Sequence, residues 1–218
     1  MKLSQKKIAF LGDSITAGCG VADPANLYWR LLSSHTDAVC YGHGLWGTRI
    51  AMQRNPSPEP IFDRHFASRL AEMPADLDLI IVFGGTNDYG HGDAPLGDMH
   101  STSEYSFYGA LHHLIQKAIT RYPDAQLVFM TPLHRLSECE LGVNEYGVRR
   151  EVPLEAYVKA ITDVCGYYGV PVLDLFRTSG IQPCLPVLRE RYMPDGLHPN
   201  DAGHRKIAAR LEGFLKAL

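Results

Sequence analysis

Apolar runs alternate with amphipathic segments along the whole chain, the pattern of an α/β protein built on a parallel sheet. Ile8 to Leu11 is an uninterrupted apolar run ending at Gly12, and Ala38 to Tyr41 is a weaker one closed by Gly42. Leu79-Ile80-Ile81-Val82-Phe83 is the clearest strand, β-branched at its centre and halted by Gly84-Gly85. Leu127 to Met130 and Val170 to Leu173 complete a set of five. Between the strands the apolar spacing is helical. Asp23-Pro24 reads as a helix start leading into Leu27, Trp29, Leu31 and Leu32, and residues 61–72 predict a helix after three prolines. Phe107, Leu111, Leu114, Ile115, Ala118 and Ile119 mark a longer helix that Pro123 stops, with Ser101 and Glu104 at capping-box spacing ahead of it. A helix around Leu154, Val158, Ile161 and Cys165 ends near Gly169, and Asn200 caps a last one carrying Ile207, Leu211 and Phe214. The segment from Gly84 to about residue 100 reads as a polar loop.

These elements, with no internal repeat or linker, predict one domain over residues 1–218. Its expected form is a three-layer α/β/α sandwich with a five-stranded parallel sheet in the flavodoxin-like order 2-1-3-4-5. In that order the loops after the first and third strands lie side by side at the switch point, where open α/β sheets bind ligands.

Composition then narrows the partners. Lys and Arg number 21 against 24 Asp and Glu, a formal charge of −3, with no basic cluster to suggest nucleic acid or an anionic membrane surface. No run approaches the roughly 18 apolar residues of a membrane span, and the four apolar residues before Gly12 fall short of a signal-peptide core. The five cysteines are odd in number, scattered and free of any C-x-x-C pair, unlike a disulfide framework or a zinc site. A cytoplasmic protein with no metal, no nucleic-acid partner and no integral membrane segment is expected; oligomeric state has no signature in the sequence.

Four polar segments at strand ends or beside the last helix could carry chemistry. Gly12-Asp13-Ser14 places a serine just past a buried strand, where its hydroxyl can project into the crevice. A serine hydroxyl is a weak nucleophile until a base takes its proton. Asp195-Gly196-Leu197-His198 supplies a histidine suited to that task, with an aspartate in the same turn able to fix its tautomer. Gly85-Thr86-Asn87-Asp88 offers an Asn amide that could stabilise a developing oxyanion. Gly42-His43-Gly44-Leu45-Trp46-Gly47-Thr48 offers backbone N–H groups with little steric cover. Any one of these segments alone is more ordinary as a turn or helix cap.

Taken together and in order, the four segments resemble the blocks of the SGNH or GDSL-type hydrolases. Gly12-Asp13-Ser14 is similar to the first block, Gly47 to the glycine of the second, Gly85-Thr86-Asn87-Asp88 to the Gly-x-Asn-Asp third, and Asp195-Gly196-Leu197-His198-Pro199 to the Asp-x-x-His block. The chain has Gly42 where the second block often opens with Asn. The resemblance implies a cofactor-free serine esterase working through an acyl-enzyme. Ser14 would be nucleophile, His198 general base and Asp195 its orienting carboxylate, with an oxyanion hole from Ser14 N–H, Gly47 N–H and the Asn87 amide.

Two other classes stay in view. Gly42-x-Gly44-x-x-Gly47 is a formal dinucleotide fingerprint, which would make the chain an NAD-binding oxidoreductase. Against it, three prolines follow where a helix should open, and Asp63 lies in a helix-like segment and not at a strand end. A non-catalytic carbohydrate-binding relative is the alternative that is not an enzyme. For an esterase, the substrate expected is a small ester, with a short acyl group such as acetyl on a polar or carbohydrate alcohol. A lipase, lysophospholipase or thioesterase is the runner-up. Asp13, His43, Trp46, Arg49, Tyr89 and His134 are candidate pocket residues, and residues 91–100 and 134–150 are long enough to shape the pocket.

Overall fold

A computed structural model describes residues 2–144 and 146–218. Five parallel strands, β1 (Lys7–Gly12), β2 (Val39–Gly44), β3 (Leu79–Phe83), β4 (Gln126–Met130) and β7 (Val172–Leu173), form a sheet in the order β2-β1-β3-β4-β7. With β7 as its fifth member, this is the expected 2-1-3-4-5 order. A separate antiparallel hairpin joins β5 (Gly142–Val143) to β6 (Arg149–Arg150).

Alternation along the strands explains the three layers. Side chains of successive strand residues point to opposite faces, so Ile8, Phe10, Leu79, Ile81, Val128 and Met130 feed one core. Ala9, Leu11, Ile80, Val82, Leu127 and Phe129 feed the other. The first face is covered by α2 (Tyr28–Thr36) and α9 (Asp201–Ala217), through Leu32, Ile207, Leu211 and Leu215. The second is covered by α3 (Phe66–Arg69), α5 (Phe107–Arg121) and α6 (Leu154–Tyr167), through Phe66, Leu111, Leu114, Val158 and Ile161. Each of these large side chains contributes about 1.5–3 kcal/mol by leaving water. Among the described residues four other short helices follow the same chain: α1 (Ser14–Ala17), α4 (Thr86–His91), α7 (Leu175–Thr178) and α8 (Pro186–Tyr192).

Several local expectations give way to hydrogen bonding that the sequence pattern does not display. Ser106 caps α5, its side chain accepting from Gly109 N–H, because Ser101 is engaged in a turn with Asp98. The predicted helix over 61–72 is two 3₁₀ turns, Pro60–Asp63 and Leu70–Glu72, flanking α3. Asp63 interrupts it by turning back to accept from Ser57 N–H at 2.9 Å and from the Ser57 hydroxyl at 2.6 Å. Asp23 caps only a 3₁₀ turn over Pro24–Asn26, and α2 starts afresh at Tyr28. Val170 N–H closes the end of α6 on Cys165 O, which shortens β7. Residues 86–91 are helical and not loop, since left-handed Gly85 (φ 106°) turns the chain directly from β3 into α4. Asn200 caps α9 through Gly203 N–H, as its position predicts.

The helix pair on the first face also steadies the segment after β1 that carries Ser14. His204 on α9 is fully buried and its Nδ1 accepts the Tyr28 N–H, an otherwise unpaired donor at the start of α2. Two side chains of α2 then hold Thr16 in α1: the Tyr28 hydroxyl lies 2.9 Å from Thr16 Oγ1, and Trp29 Nε1–H donates to Thr16 O. Gly42 leaves the space that the Trp29 indole fills, since a Cβ there would meet the ring at 2.5 Å. Burial lowers the His204 pKa from 6.5 to about 4.

Replacing His204 by Phe keeps a ring beside Tyr28 but leaves Tyr28 N–H unpaired, with an expected loss of about 1–3 kcal/mol at pH 7. The folded pKa lies below the unfolded value, so the native histidine's contribution is full above 6.5 and is lost as pH falls toward 4. The gap between the two proteins should therefore narrow from pH 7.5 to pH 5, as read from urea midpoints; a constant gap contradicts the assignment.

Candidate active site

Register places the site. Gly12 pairs with Gly44 on one side and Phe83 on the other, so β1, β2 and β3 end in one row. Ser14 lies two residues beyond that row, Gly47 three and Asn87 four. All three, with His198, line one cleft of about 230 Å³.

Ser14 opens α1 behind Asp13, whose carboxylate accepts from Ile15 N–H at 3.0 Å and caps the helix. The first N–H of a helix has no acceptor within it, which leaves Ser14 N–H for a ligand. Gly12 is needed behind it, because a Cβ there would sit 1.9 Å from Thr16 Oγ1. His198 reaches the serine from the turn before α9. Its Nε2 is 3.1 Å from Ser14 Oγ, and its Nδ1 is 2.7 Å from Asp195 Oδ2. Asp195 Oδ1 accepts from Leu197 and His198 N–H at 2.8 and 2.7 Å. Burial alone would raise the Asp195 pKa, but these bonds and the imidazole together bring it below its ordinary value. An ionised Asp195 accepts the Nδ1–H, so the Nε2 lone pair faces the serine hydroxyl. Serine, histidine and aspartate thus form one hydrogen-bonded series, in which the imidazole can accept the serine proton.

The far wall of the cleft is held by buried polar ties. Asn87 on α4 donates one amide hydrogen to Thr48 O at 3.0 Å and has a second to offer the cleft. Gly47 adopts φ 72°, and a Cβ there would overlap the Phe62 ring at 2.0 Å. Asp88 accepts from Ile50 and Ala51 N–H, binding the loop after β2 to α4. Burial raises both Asp88 and Asp13 to about 6. The buried Arg69 guanidinium donates to Gly12 O at 2.9 Å, His43 O at 2.8 Å and Thr48 Oγ1 at 3.1 Å. It fastens the ends of β1 and β2 to the loop that carries Gly47.

The six candidate pocket residues divide. Trp46 lines the cleft and is 52% exposed. Tyr89 and Arg49 line a larger adjoining groove of about 830 Å³. Both are committed within the fold: Tyr89 donates to backbone carbonyls of Ser137 and Glu140, and Arg49 pairs with Asp63 and donates to His91 O. Asp13, His43 and His134 line neither cavity. Asp13 is spent as a helix cap. His43 is half-buried next to the last residue of β2, and His134 pairs with Glu138 and packs on Phe176. The sequence reading missed His91, Arg135, Tyr146 and Arg150, which line the cleft. The available signal was the length of the 91–100 and 134–150 segments; the fold back over α4 was not in it. The dinucleotide fingerprint dissolves, since Gly42 and Gly44 belong to β2 and no helix begins between Leu45 and Glu59.

No curated protein matches the sequence. Among solved structures, a protein from Lactobacillus plantarum is 35% identical, with 99% of this chain and 98% of that one aligned at a TM-score of 0.81. A possible lipase from Chitinophaga pinensis is 20% identical over 97% of this chain and 98% of its own, at a TM-score of 0.71. A two-domain esterase active on acetylated mannans shares the fold over 97% of this chain and 49% of its own, at 21% identity and a TM-score of 0.63. A family model matches residues 10–206, a span that runs from β1 into α9 and includes every residue of the cleft, and the chain accordingly belongs to the GDSL-like lipase/acylhydrolase family.

Proposed function

We propose that the chain is a serine esterase that cleaves short acyl esters of polar or carbohydrate alcohols. The observation that carries this reading is the unbroken contact from Asp195 through His198 to Ser14, beside a wall of hydrogen-bond donors. Ser14 Oγ attacks the acyl carbon as its proton passes to His198 Nε2. Negative charge gathers on the former carbonyl oxygen, where Ser14 N–H, Gly47 N–H and the second Asn87 amide hydrogen receive it. His198 then protonates the departing alcohol. Water enters, gives its proton to the same nitrogen, and attacks the acyl-serine to release the acid and restore the hydroxyl. Donors fixed before the reaction begins need no reorganisation as the charge appears.

The small acyl preference is supported by the volume of the cleft at Ser14, about 230 Å³. The alcohol would extend into the adjoining groove, whose walls include Arg54, Asn55 and Arg149. The activity named for the acetylated-mannan esterase of the same fold agrees with such a substrate. A cytoplasmic setting, free of nucleic-acid partners and of any cofactor, belongs to the same proposal; among the described residues no helix is long and apolar enough to cross a membrane.

Ser14→Ala should keep the unfolding midpoint while turnover of p-nitrophenyl acetate falls by about 10³-fold or more. Retained turnover would remove Ser14 from the mechanism, and a wild-type chain inert toward every ester would leave the non-catalytic carbohydrate-binding reading. Asn87→Ala should lower kcat by about 10²–10³ with a much smaller change in KM, because the lost donor acts mainly on the transition state. Across p-nitrophenyl esters from acetate to octanoate, kcat/KM should fall with chain length; a rise would favour the lipase or thioesterase reading.

A further inference from the structure

The cleft at Ser14 carries a charge feature that ester hydrolysis does not use. Arg135 and Arg150 both line it, and no Asp or Glu does among the described residues. Arg150 ends the hairpin that folds back over α4. That hairpin is anchored by Asn144, which donates to Gly90 O at 2.7 Å and accepts from Tyr146 and Val148 N–H at 2.9 Å.

The Arg150 side chain is only 10% exposed, yet few of its donors are matched among the described residues. One Nη2–H donates to Gly90 O at 3.2 Å. Its carboxylate contact is Glu140 at 3.5 Å, too long for a strong pair, and the Glu140 side chain is 63% exposed. Nε is buried without a hydrogen-bond partner among the described residues. The face of Tyr89 lies 4.9 Å away and supports the cation without taking a hydrogen bond. A guanidinium presents five donors in a planar fork matched to carboxylate and phosphate oxygens. Buried donors left unmatched are costly, and a bound anion removes that cost.

His91, on the same wall, fits an anion site as a neutral donor. Burial first, then the neighbouring Arg49, Arg135 and Arg150 charges, lower its pKa to about 4. Its Nδ1 faces an Arg49 Nη1–H at 3.3 Å, which leaves the ring proton on Nε2.

We propose that Arg150 is a specificity-determining residue that binds an anionic group, carboxylate or phosphate, on the ester substrate, with Arg135 adding positive charge to the same cleft. The inference rests on the reading of Ser14 as the esterolytic centre. Because Ser14 and Arg150 line one small cleft, a single ester can meet both: its carbonyl at the oxyanion donors and its anionic oxygens at the guanidinium.

The test compares kcat/KM for anionic esters and neutral counterparts of similar size, in the wild type, Arg150→Gln and Arg150→Lys. Mono-4-nitrophenyl glutarate against 4-nitrophenyl valerate places the carboxylate on the acyl side. 4-Acetoxybenzoate against 4-acetoxybenzamide places it on the alcohol side, and 4-acetoxyphenyl phosphate replaces it by phosphate. The wild type should prefer at least one anionic ester over its counterpart. That ratio should fall about tenfold or more in Arg150→Gln and by less in Arg150→Lys, which keeps the charge but loses the fork. Absence of any anionic preference in the wild type, or a ratio unchanged in Arg150→Gln, overturns the proposal. Should Arg150→Gln fail to fold, an undiminished ratio in Arg150→Lys overturns the forked contact. Should the wild type cleave no ester, the Ser14 reading fails by itself. Calorimetric titration of benzoate and phenyl phosphate into wild type and Arg150→Gln then decides the anion site, with binding lost in the variant supporting it and equal or absent binding refuting it.

Discussion

Parallel pairing of β1 with both its neighbours is the constraint on which the rest of this molecule depends. Gly12 stands opposite Gly44 and Phe83, so three loops distant in sequence leave the sheet at one edge. A slip of one residue in either pairing would turn the alternating side chains of a strand to the wrong core. It would also move the loop carrying Ser14 relative to those carrying Gly47 and Asn87. The two hydrophobic cores that fix the register therefore fix the site, and stability and geometry share one cause.

Hydrophobic burial sets this frame only to the level of strands. The finer placement comes from polar groups that the fold has taken out of water and tied to backbone and side-chain partners. Arg69 binds carbonyls at the ends of β1 and β2 as well as the Thr48 hydroxyl, and Asp88 holds two N–H groups of the loop after β2. Burial lowers the Arg69 pKa to about 10, which leaves it charged at neutral pH and able to keep all three contacts. Such ties hold the donors of the cleft in fixed positions. The Ser14 side is held by α2 through Tyr28 and Trp29, and the His198 side by the Asp195 turn. Three separate supports converge on one small space.

The hairpin of β5 and β6 adds a different kind of wall. The scaffold side contributes Ser14, Gly47, Asn87 and His198, whereas the hairpin side contributes Arg150 and Tyr146. Tyr146, His91, Phe62 and Trp46 form a chain of edge and tilted ring contacts from the hairpin to the loop after β2. That chain packs against Gly47, where only a glycine leaves room for the Phe62 ring. The hairpin is thus joined through aromatic packing to the wall that carries Gly47.

The sequence by itself determined the class of fold and where the residues that meet in the cleft leave the sheet. Buried parallel strands must be continuous apolar runs, and chemistry at a sheet edge must follow them directly, so Ile8–Leu11 and Leu79–Phe83 announced both the sheet and the positions of Ser14 and Asn87. The Asp195-to-His198 turn was legible for the same local reason, its partners being only three residues apart. Other features needed tertiary structure. Asp13 and His134 look like pocket residues in one dimension, yet a helix cap and a Glu138 pair consume them. Arg150 looks like one more surface charge until the hairpin lays it over Gly90. Local propensity and periodicity act within about one turn of chain and leave a record in composition. Which long polar side chain is buried, and against which distant carbonyl, is decided only when the layers close.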